Sequence, residues 1–405
     1  MPSTSSKSNP TTPRNTIFPK GFKKTIYRNH PQQTTSQNPQ KPKRNSIFYK
    51  TVKDIGRCLN FIVIALNSYE RVISILRGYL EDVDRVPCVN TVSVATIDFM
   101  KTVNAYWPEA HRNPEKMAKL ASAAHRICGL DNVSLPFDMA VEAEALGIRI
   151  EYPEGRIQYP YVKEFITEPS KVRIPRNVVD AGRIPIIVEA IKILRREFEG
   201  RVPINVYLDP PFTCISNYVL GIVRFFAMMR RNPSEAHRLL ETVLNFFIEV
   251  AKTYEEAGAD IITFHEMGAT VVPPVYFDEF ITPYLKEIVK HLKTPTILNI
   301  CGSTKLIIDK MVNIGCSAIA VDETTPIKHV REIVNRIRVN YPIIGNISSR
   351  KTLLTGPISR IVEEVNKCIC EGVSMISPGC DFHLETPTEH IKALVDATIK
   401  YCFHR

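Results

Sequence analysis

Two cysteines and one asparagine stand at the ends of apolar segments that resemble β-strands. Asn299 and Cys301 close one such segment, and Cys380 follows another near the C-terminus. Because strand side chains alternate between faces, Asn299 and Cys301 project to the same side of the chain. Two thiols with a polar partner at strand ends indicate a metal or thiol site. The alternative is that both cysteines are small core residues, since unpaired cysteine is often buried.

Residues that could bind a metal or move a proton end seven consecutive predicted strands. They are Asp138, Asp209, His265 with Glu266, Asn299 with Cys301, Asp322 with Glu323, Asn346 and Cys380. Such a series exceeds what solubility requires and indicates a site at one face of the fold. Structural roles are the alternative: the two aspartates could cap helices, and His265 could be a buried, hydrogen-bonded histidine. Glu266 and Glu323 could face solvent, and Asn346 could hold a turn.

The alternation of patterns along the chain predicts how these residues are positioned. After a short amphipathic helix near Asn67, β-rich segments alternate with helical ones, and glycines such as Gly258 and Gly315 end several helices. The predicted strands are 85–90, 132–138, 204–208, 260–265, 296–301, 318–323, 342–347 and 373–377. Eight strands alternating with helices predict a (β/α)8 TIM barrel, whose active site lies on the loops after the strands. An open doubly wound sheet is the alternative.

Residues 149–174 interrupt this alternation. Isoleucines and tyrosines alternate there, which predicts a β-hairpin inserted near the barrel mouth, where it could cover a substrate. The 405 residues therefore divide into a barrel domain from 67 to 405 and an N-terminal extension of residues 1–64.

The extension has a composition of its own. It holds 12 of the 52 lysines and arginines and one of the 42 acidic residues, so the basic character of the chain belongs to it. Its Ser, Thr, Pro, Asn and Gln content predicts disorder. An extension of this kind could bind RNA or an anionic surface, or serve as an organelle transit peptide. The nearly neutral remainder carries no basic excess for nucleic-acid binding.

The sequence also bears on compartment. The longest apolar run of the extension, 58–66, is too short to span a bilayer, and no membrane segment is predicted elsewhere. Ten cysteines in a chain without an export signal predict a reducing, cytoplasmic environment with free thiols. Cys368 and Cys370 lie in a helical pattern on different faces, which favours structural roles for both.

Several motifs together carry a resemblance to a known family. They are NAYWPEAH (104–111), PFD (136–138), VEAEALG (141–147), NICG (299–302), GNI (345–347) and SPGC (377–380). Over about residues 67–401 the chain resembles the uroporphyrinogen decarboxylase superfamily, and within it the methylcobalamin:coenzyme M methyltransferases. The resemblance implies a (β/α)8 barrel that moves a methyl group from a corrinoid to a thiol bound to zinc.

The resemblance also implies a set of metal ligands. In that family a His-x-Cys pair and a distant cysteine bind Zn²⁺, and Cys301 and Cys380 match the two cysteines. Asn299 occupies the histidine position, and an amide is a poor zinc ligand beside imidazole or thiolate. A third ligand is therefore expected from His265 or Glu323. The chain has no D-x-H-x-x-G motif for binding a corrinoid, so methylcobalamin is expected free or on a partner protein, with a small thiol such as coenzyme M as acceptor.

The remaining assignments concern the other strand-end residues. Catalytic roles are predicted for Glu323, Asp138 and Asp209, and substrate binding for Glu266 and Asn346. Two alternative functions stay open. In the first, Asp138, Asp209 and His265 perform proton chemistry on a tetrapyrrole, as in the decarboxylases. In the second, the protein is a non-catalytic paralogue that binds a corrinoid or a methyltransferase subunit.

Overall fold

Strands and helices alternate through residues 65–401, the part of the chain that this computed structural model describes. The strands are β1 (Val133–Leu135), β2 (Ile150–Glu151), β3 (Tyr161–Val162), β4 (Ile204–Leu208), β5 (Ile261–His265), β6 (Thr296–Ile300), β7 (Ala318–Val321), β8 (Ile343–Ile347) and β9 (Met375–Pro378). Seven of these strands form one parallel sheet in the order β1, β4, β5, β6, β7, β8, β9. The parallel α/β architecture predicted from sequence is thus confirmed.

Helices connect the strands and cover the outer face of the sheet. They are α1 (Ser68–Leu76), α2 (Ile97–Val103), α3 (Pro114–Cys128), α4 (Val141–Ala145), α5 (Ile184–Phe198), α6 (Pro211–Thr213), α7 (Ile222–Arg231), α8 (Pro233–Ala257), α9 (Pro274–Tyr276), α10 (Thr282–Lys290), α11 (Ile308–Asn313), α12 (Ile327–Ile337), α13 (Ile358–Cys370) and α14 (Thr388–Tyr401). Three π-helical turns, Cys214–Val219, Phe277–Ile281 and Ser349–Leu354, lie on loops that follow strands of the sheet.

The sequence of each layer reflects its burial. Strands such as β6 are buried along their whole length because helices cover one face and strand side chains fill the other. Helix α12 is amphipathic: Ile327, Val330 and Val334 are buried, and charged residues stand between them. Truncation of a fully buried strand residue such as Leu298 to alanine would cost about 2–5 kcal/mol.

The predicted strand at 85–90 is reduced to a single bridge. Cys88 forms a parallel bridge with Ile376 of β9. On its other side the Cys88 carbonyl accepts a hydrogen bond of 2.7 Å from the backbone N–H of Asp131, shortly before β1. Pro87 has no N–H to donate, which limits ladder pairing at this segment. The Cys88 segment therefore lies between the last and the first strand of the parallel sheet.

The predicted insertion is confirmed as a short hairpin. Strands β2 and β3 pair antiparallel, with Ile150 opposite Val162. Tyr159 of the hairpin loop packs edge-on against Trp107, with 4.9 Å between ring centroids. Trp107 is buried and lies in the segment that follows the Cys88 bridge. This contact ties the hairpin to the first connection of the fold.

Two predictions concern the extension and membranes. The extension of residues 1–64, for which the sequence predicts disorder, lies outside the described residues. Within 65–401, no single helix has the length and apolar composition to cross a membrane. A sharply bent pair, Pro211–Val219 with Ile222–Arg231, meets those two criteria together, by length and composition only.

Candidate metal centre

Cys301 and Cys380 meet although β6 and β9 are separated by two strands. Cys301 follows β6 directly, and Cys380 lies two residues after β9. Their Cα atoms are 5.9 Å apart and their Sγ atoms are in bonding contact as a disulfide pair. Both side chains are half-buried. Curvature of the parallel sheet thus brings together two thiols that are 79 residues apart in sequence.

His265 completes a three-donor cluster with these cysteines. One ligand atom from each of His265, Cys301 and Cys380 lies within 4.8 Å of the others, and His265 Nε2 is 3.4 Å from Cys301 Sγ. The register explains the contact, because His265 at the end of β5 pairs with Asn299 on β6, two residues before Cys301. Burial lowers the pKa of His265, while Asp381 opposes that shift, and the neutral imidazole is the form that binds metals.

Asp209 lies behind His265, on the side opposite the thiols. It follows β4, and its Oδ1 is 3.6 Å from Nδ1 of His265. Both Asp209 oxygens and His265 Nδ1 are buried without a hydrogen-bond partner among the described residues. Burial, with the charges of Asp138 and Asp381, raises the pKa of Asp209 well above its ordinary value. A carboxylate behind a histidine is an arrangement that commonly orients a metal ligand.

Asn299 is turned toward protein partners. Its Nδ2 donates to Thr91 Oγ1 at 3.1 Å, and its Oδ1 lies 3.7 Å from Cys301 Sγ. The amide is buried. Asn299 therefore supports Cys301 from the same face of β6, where the resemblance had implied a histidine ligand.

Glu323 borders the Cys380 loop without joining the three-donor cluster. Ser348 Oγ donates to Glu323 Oε1 at 2.7 Å, and the side chain is exposed. A Cβ on Gly379 would lie 2.6 Å from Glu323 Oε2 and 3.0 Å from Asp322 Cα, so a larger residue there would press on the backbone of the loop after β7. The neighbouring Asp322 accepts a hydrogen bond from the backbone N–H of Gly302, directly after Cys301. The loop after β7 thereby holds both cysteine loops.

Asp138 is the anion of a buried ion-pair network. Both terminal nitrogens of Arg183 donate to it at 2.8 Å, and His111 Nδ1 lies 2.9 Å from its Oδ2. Burial raises the pKa of Asp138, but Arg183 and His111 outweigh burial and hold it well below its ordinary value. Arg183 also donates to Glu144 at 2.6 Å. Sequence analysis did not single out Arg183, because nothing in its local sequence distinguishes it from a surface arginine.

The two predicted substrate-binding residues have partners within the protein. Glu266 is fully buried and accepts a hydrogen bond from Thr213 Oγ1, which leaves its Oε2 without a partner among the described residues. Burial raises the pKa of Glu266 well above its ordinary value. Asn346 Nδ2 donates to the carbonyls of Asp322 and Thr325 at 2.9 and 2.7 Å. Asn346 thus links β8 to the loop after β7.

Asp381 is a site residue that the sequence analysis missed. It follows Cys380, and its Oδ1 accepts a hydrogen bond of 3.0 Å from the backbone N–H of Ser93. Burial raises the pKa of Asp381, and the positive form of His265 opposes that shift. Its position directly after a proposed ligand was the available signal. The His265 imidazole is therefore influenced by two carboxyl groups: Asp209 faces its Nδ1, and Asp381 raises its pKa against the effect of burial.

The whole of the described domain matches one family. The family model for uroporphyrinogen decarboxylase (URO-D) covers residues 67–401. This chain belongs to the uroporphyrinogen decarboxylase family. The membership inferred from the NICG and SPGC motifs is thereby confirmed.

Individual relatives place the chain within this family. It is 32% identical over 340 residues to the methylcobamide:CoM methyltransferase MtaA of Methanosarcina barkeri, with 82% of this chain and 97% of the relative covered. It is 26% identical to a uroporphyrinogen decarboxylase of Anaeromyxobacter dehalogenans, with 78% and 95% covered. A solved methyltransferase from Methanosarcina mazei superposes with a TM-score of 0.78 at 31% identity, over 84% of this chain and all of that one. These similarities confirm the prediction that the protein is an enzyme of the methyltransferase class.

Proposed function

We propose that this protein transfers a methyl group from a methylated corrinoid to a small thiol, using Zn²⁺ held by His265, Cys301 and Cys380. The observation that carries the proposal is the meeting of these three donors from three separate strands. The names of its relatives, which include methylcobamide:CoM methyltransferases, give the direction of transfer. Coenzyme M is accordingly the first acceptor to test.

The donor set fits zinc. Imidazole and thiolate are the ligands that Zn²⁺ prefers, and three protein ligands leave the fourth tetrahedral position open, as in catalytic zinc sites. The buried His265 Nδ1, which has no hydrogen-bond partner among residues 65–401, faces Asp209 and would donate its proton to that carboxylate when Nε2 binds the metal. Zinc bound there would keep an acceptor thiol deprotonated and nucleophilic at neutral pH.

The chain's own residues would then hold the reactants and move one proton. Asn299 and the Asp322 loop fix Cys301, and Asp209 orients His265. We assign to exposed Glu323 the acceptance of the thiol proton and its release to solvent. The sulfur lone pair forms the new S–C bond while the Co–C bond breaks and its electron pair stays with the corrinoid. Asp138, through Arg183, maintains the loops around this site.

The remaining predictions complete the proposal. We propose a closed (β/α)8 barrel with the Cys88 segment as its eighth strand, and the β2–β3 hairpin near its mouth. The corrinoid would be a free substrate or the cargo of a partner protein, since the sequence has no D-x-H-x-x-G motif and residues 65–401 add no second domain to the α/β fold. Glu266 and Asn346 would shape the substrate cavity from behind the metal. The barrel is expected to work in the cytoplasm without nucleic acid, and residues 1–64 to form a separate extension.

Metal analysis tests the proposal. The purified full-length protein should carry about one zinc per chain, and the His265→Ala, Cys301→Ala and Cys380→Ala variants should each lose most of it. Cys370→Ser removes an exposed free thiol elsewhere in the described domain and is the matched control. Unchanged zinc in all three ligand variants would sink the assignment. Demethylation of methylcobalamin by added thiols, followed spectrally, then tests the reaction, and decarboxylation of uroporphyrinogen without zinc would favour the lyase alternative.

A further inference from the structure

The outer layer of helices leaves an open groove between α13 and α14. The two helices lie side by side, and at their C-terminal ends Cys370 Sγ is 2.9 Å from the Tyr401 hydroxyl oxygen. The groove has a volume of about 620 Å³. Its apolar wall includes Ile358 and Val362 of α13, which are 48% and 38% exposed. Branched apolar side chains exposed along a groove indicate a surface that contacts another molecule.

A stripe of charged side chains borders this groove along α14. Steps of three, four and four residues place its members on one face of the helix. Their charges alternate in sign, so the stripe carries no net charge. All are exposed, and within residues 65–401 none of them forms an ion pair. The members of the stripe are Glu389, Lys392, Asp396 and Lys400.

The order of these charges is complementary to itself about a two-fold axis. An axis midway between Lys392 and Asp396 would set two copies of α14 antiparallel. Lys392 would then face the partner's Asp396, and Glu389 would face the partner's Lys400. Every pair across the axis joins opposite charges, whereas a parallel arrangement would set like charges opposite each other.

The side chains beside the stripe allow the two copies to approach. Ala393 and Ala397 line the groove between the charged stripe and α13. The distance between packed helices depends on the size of the side chains at their contact, and alanine permits a short one. Ile358 and Val362 would lose water-accessible apolar surface in the same contact, which favours association.

The alternating charges also distinguish a second copy from other occupants. RNA and anionic lipid surfaces are bound by basic patches, and half of this stripe would repel them. A protein surface of one sign would meet the same repulsion. A second copy of this chain matches both signs at once.

We propose that the face formed by α13 and α14 is an isologous interface with a second copy of this chain, with the two α14 helices antiparallel. The inference goes beyond the proposed function and does not depend on it. Helix α14 has 14 residues and is about 21 Å long. With α13 beside it, the face offers roughly 400 Å² per copy, about half of what a stable interface buries. We therefore expect a weak dimer, with a Kd on the order of 10–100 µM.

Sedimentation of the full-length protein over a range of concentrations tests the dimer. A reductant is needed, since exposed Cys370 could otherwise cross-link two chains. The weight-average mass should rise from that of one chain at about 1 µM toward that of two chains at about 300 µM. A mass of one chain throughout would overturn the inference and leave the groove to the N-terminal extension or to a different protein.

Two charge reversals then test the antiparallel pairing. Lys392→Glu and Asp396→Lys each set like charges opposite each other twice across the axis, so each should raise the Kd at least about tenfold. Mixed together, the two variants should associate with a Kd within about threefold of the natural value, because each reversed residue then faces its complement. Arg238→Glu reverses an exposed charge on α8 and is the matched control. It should associate like the natural protein.

Failure of the two variants to associate when mixed, with the natural protein dimeric, would overturn the assigned pairing. Undiminished self-association of either variant alone would also overturn it. If one of them does not fold, Glu389→Lys and Lys400→Glu provide the same test at the outer pair of the stripe.

Discussion

At the scale of single residues, the metal centre depends on which strand supplies the imidazole. Asn299 occupies the position at which the resemblance places a histidine, and its amide contacts Thr91 and Cys301. His265 stands opposite it on the neighbouring strand. Because paired residues on adjacent strands lie side by side, a histidine at either position can reach the same space. A histidine on either of the two neighbouring strands could therefore supply the imidazole ligand, with the same two cysteines.

The equivalence of the two positions can be tested by removing the histidine at 265 and introducing one at 299. His265→Ala should lower zinc affinity by more than about 100-fold, because it removes a direct ligand, whereas loss of a residue that only orients a ligand costs about 10–100-fold. Adding Asn299→His in that background should restore much of the affinity. Competition with a chromophoric chelator measures both values. A double variant that binds zinc as weakly as His265→Ala would show that the two positions are not equivalent.

Asp209 gives a second prediction at this scale. Asp209→Asn keeps the shape of the side chain but removes the carboxylate that faces His265 Nδ1, so zinc affinity should fall about 10–100-fold. The loss should appear in chelator competition even without substrate. Glu385→Gln serves as an exposed acidic control. Equal zinc affinity in Asp209→Asn and the natural protein would contradict an orienting role.

At the scale of elements, the Asp138 network joins three connections of the fold. Asp138 follows β1, Arg183 precedes α5, and His111 lies between α2 and α3. The pKa of Asp138 lies below its ordinary value because Arg183 and His111 overcome the effect of burial. A lowered folded-state pKa means that the carboxylate stabilises the fold above its unfolded pKa. That contribution is lost as the pH falls toward the folded pKa.

Asp138→Asn should therefore destabilise the protein in a pH-dependent way. Near neutral pH the variant should lose about 3–5 kcal/mol of unfolding free energy, since it leaves Arg183 buried without its anion. Below about pH 4, where the natural residue gains a proton on unfolding, the difference should shrink. Urea unfolding at a series of pH values measures it, with exposed Asp82→Asn as control. If the difference in unfolding free energy between the variant and the natural protein grew as the pH fell, the lowered pKa of Asp138 would be contradicted.

The connection between β6 and β7 provides a matched pair of glycines, one directly after β6 and one after helix α11. Gly302, next to Cys301, has φ +107°, and a Cβ there would lie 2.9 Å from Thr270 Cγ2. Gly315 has φ +98° with nothing within 4 Å of such a Cβ. Both alanine variants should lose about 1 kcal/mol from the left-handed backbone conformation. Only Gly302→Ala should also weaken zinc binding, and equal zinc affinity in the two variants would contradict this.

The sequence could predict the elements better than the contacts between them. The runs at β4, β5, β6 and β8 are rich in isoleucine, valine and leucine, so composition predicts them as strands. The segment at 85–90 contains Pro87, and only one bridge forms there. Strand register is not visible in a single sequence, so His265 and Glu323 remained equal candidates for a third ligand until β5 and β6 were seen to pair. Arg183 and Asp381 were missed because long-range partners define their roles.

At the scale of the whole molecule, the start of helix α1 predicts that the folded domain begins near Asn67 and does not depend on residues 1–64. Helix α1 begins with a capping box, in which Asn67 accepts from the Glu70 backbone and Glu70 accepts from the Asn67 backbone. Asn67 Nδ2 also donates to the Gly200 carbonyl, which anchors this start to the barrel. We therefore expect a chain that begins at residue 65 to retain its zinc and its unfolding free energy within about 0.5 kcal/mol. Urea unfolding and metal analysis measure this, and a large loss of either would place the boundary earlier.

The 5.9 Å separation of the Cys301 and Cys380 Cα atoms has a practical consequence for handling the protein. That spacing is one from which two thiols can be joined by an oxidant without backbone movement. Oxidation would remove two of the three proposed donors in a single event, so exposure to air during preparation would yield protein unable to take up zinc. Reductant, supplied before the metal and kept through every step, should be what determines whether a preparation is active.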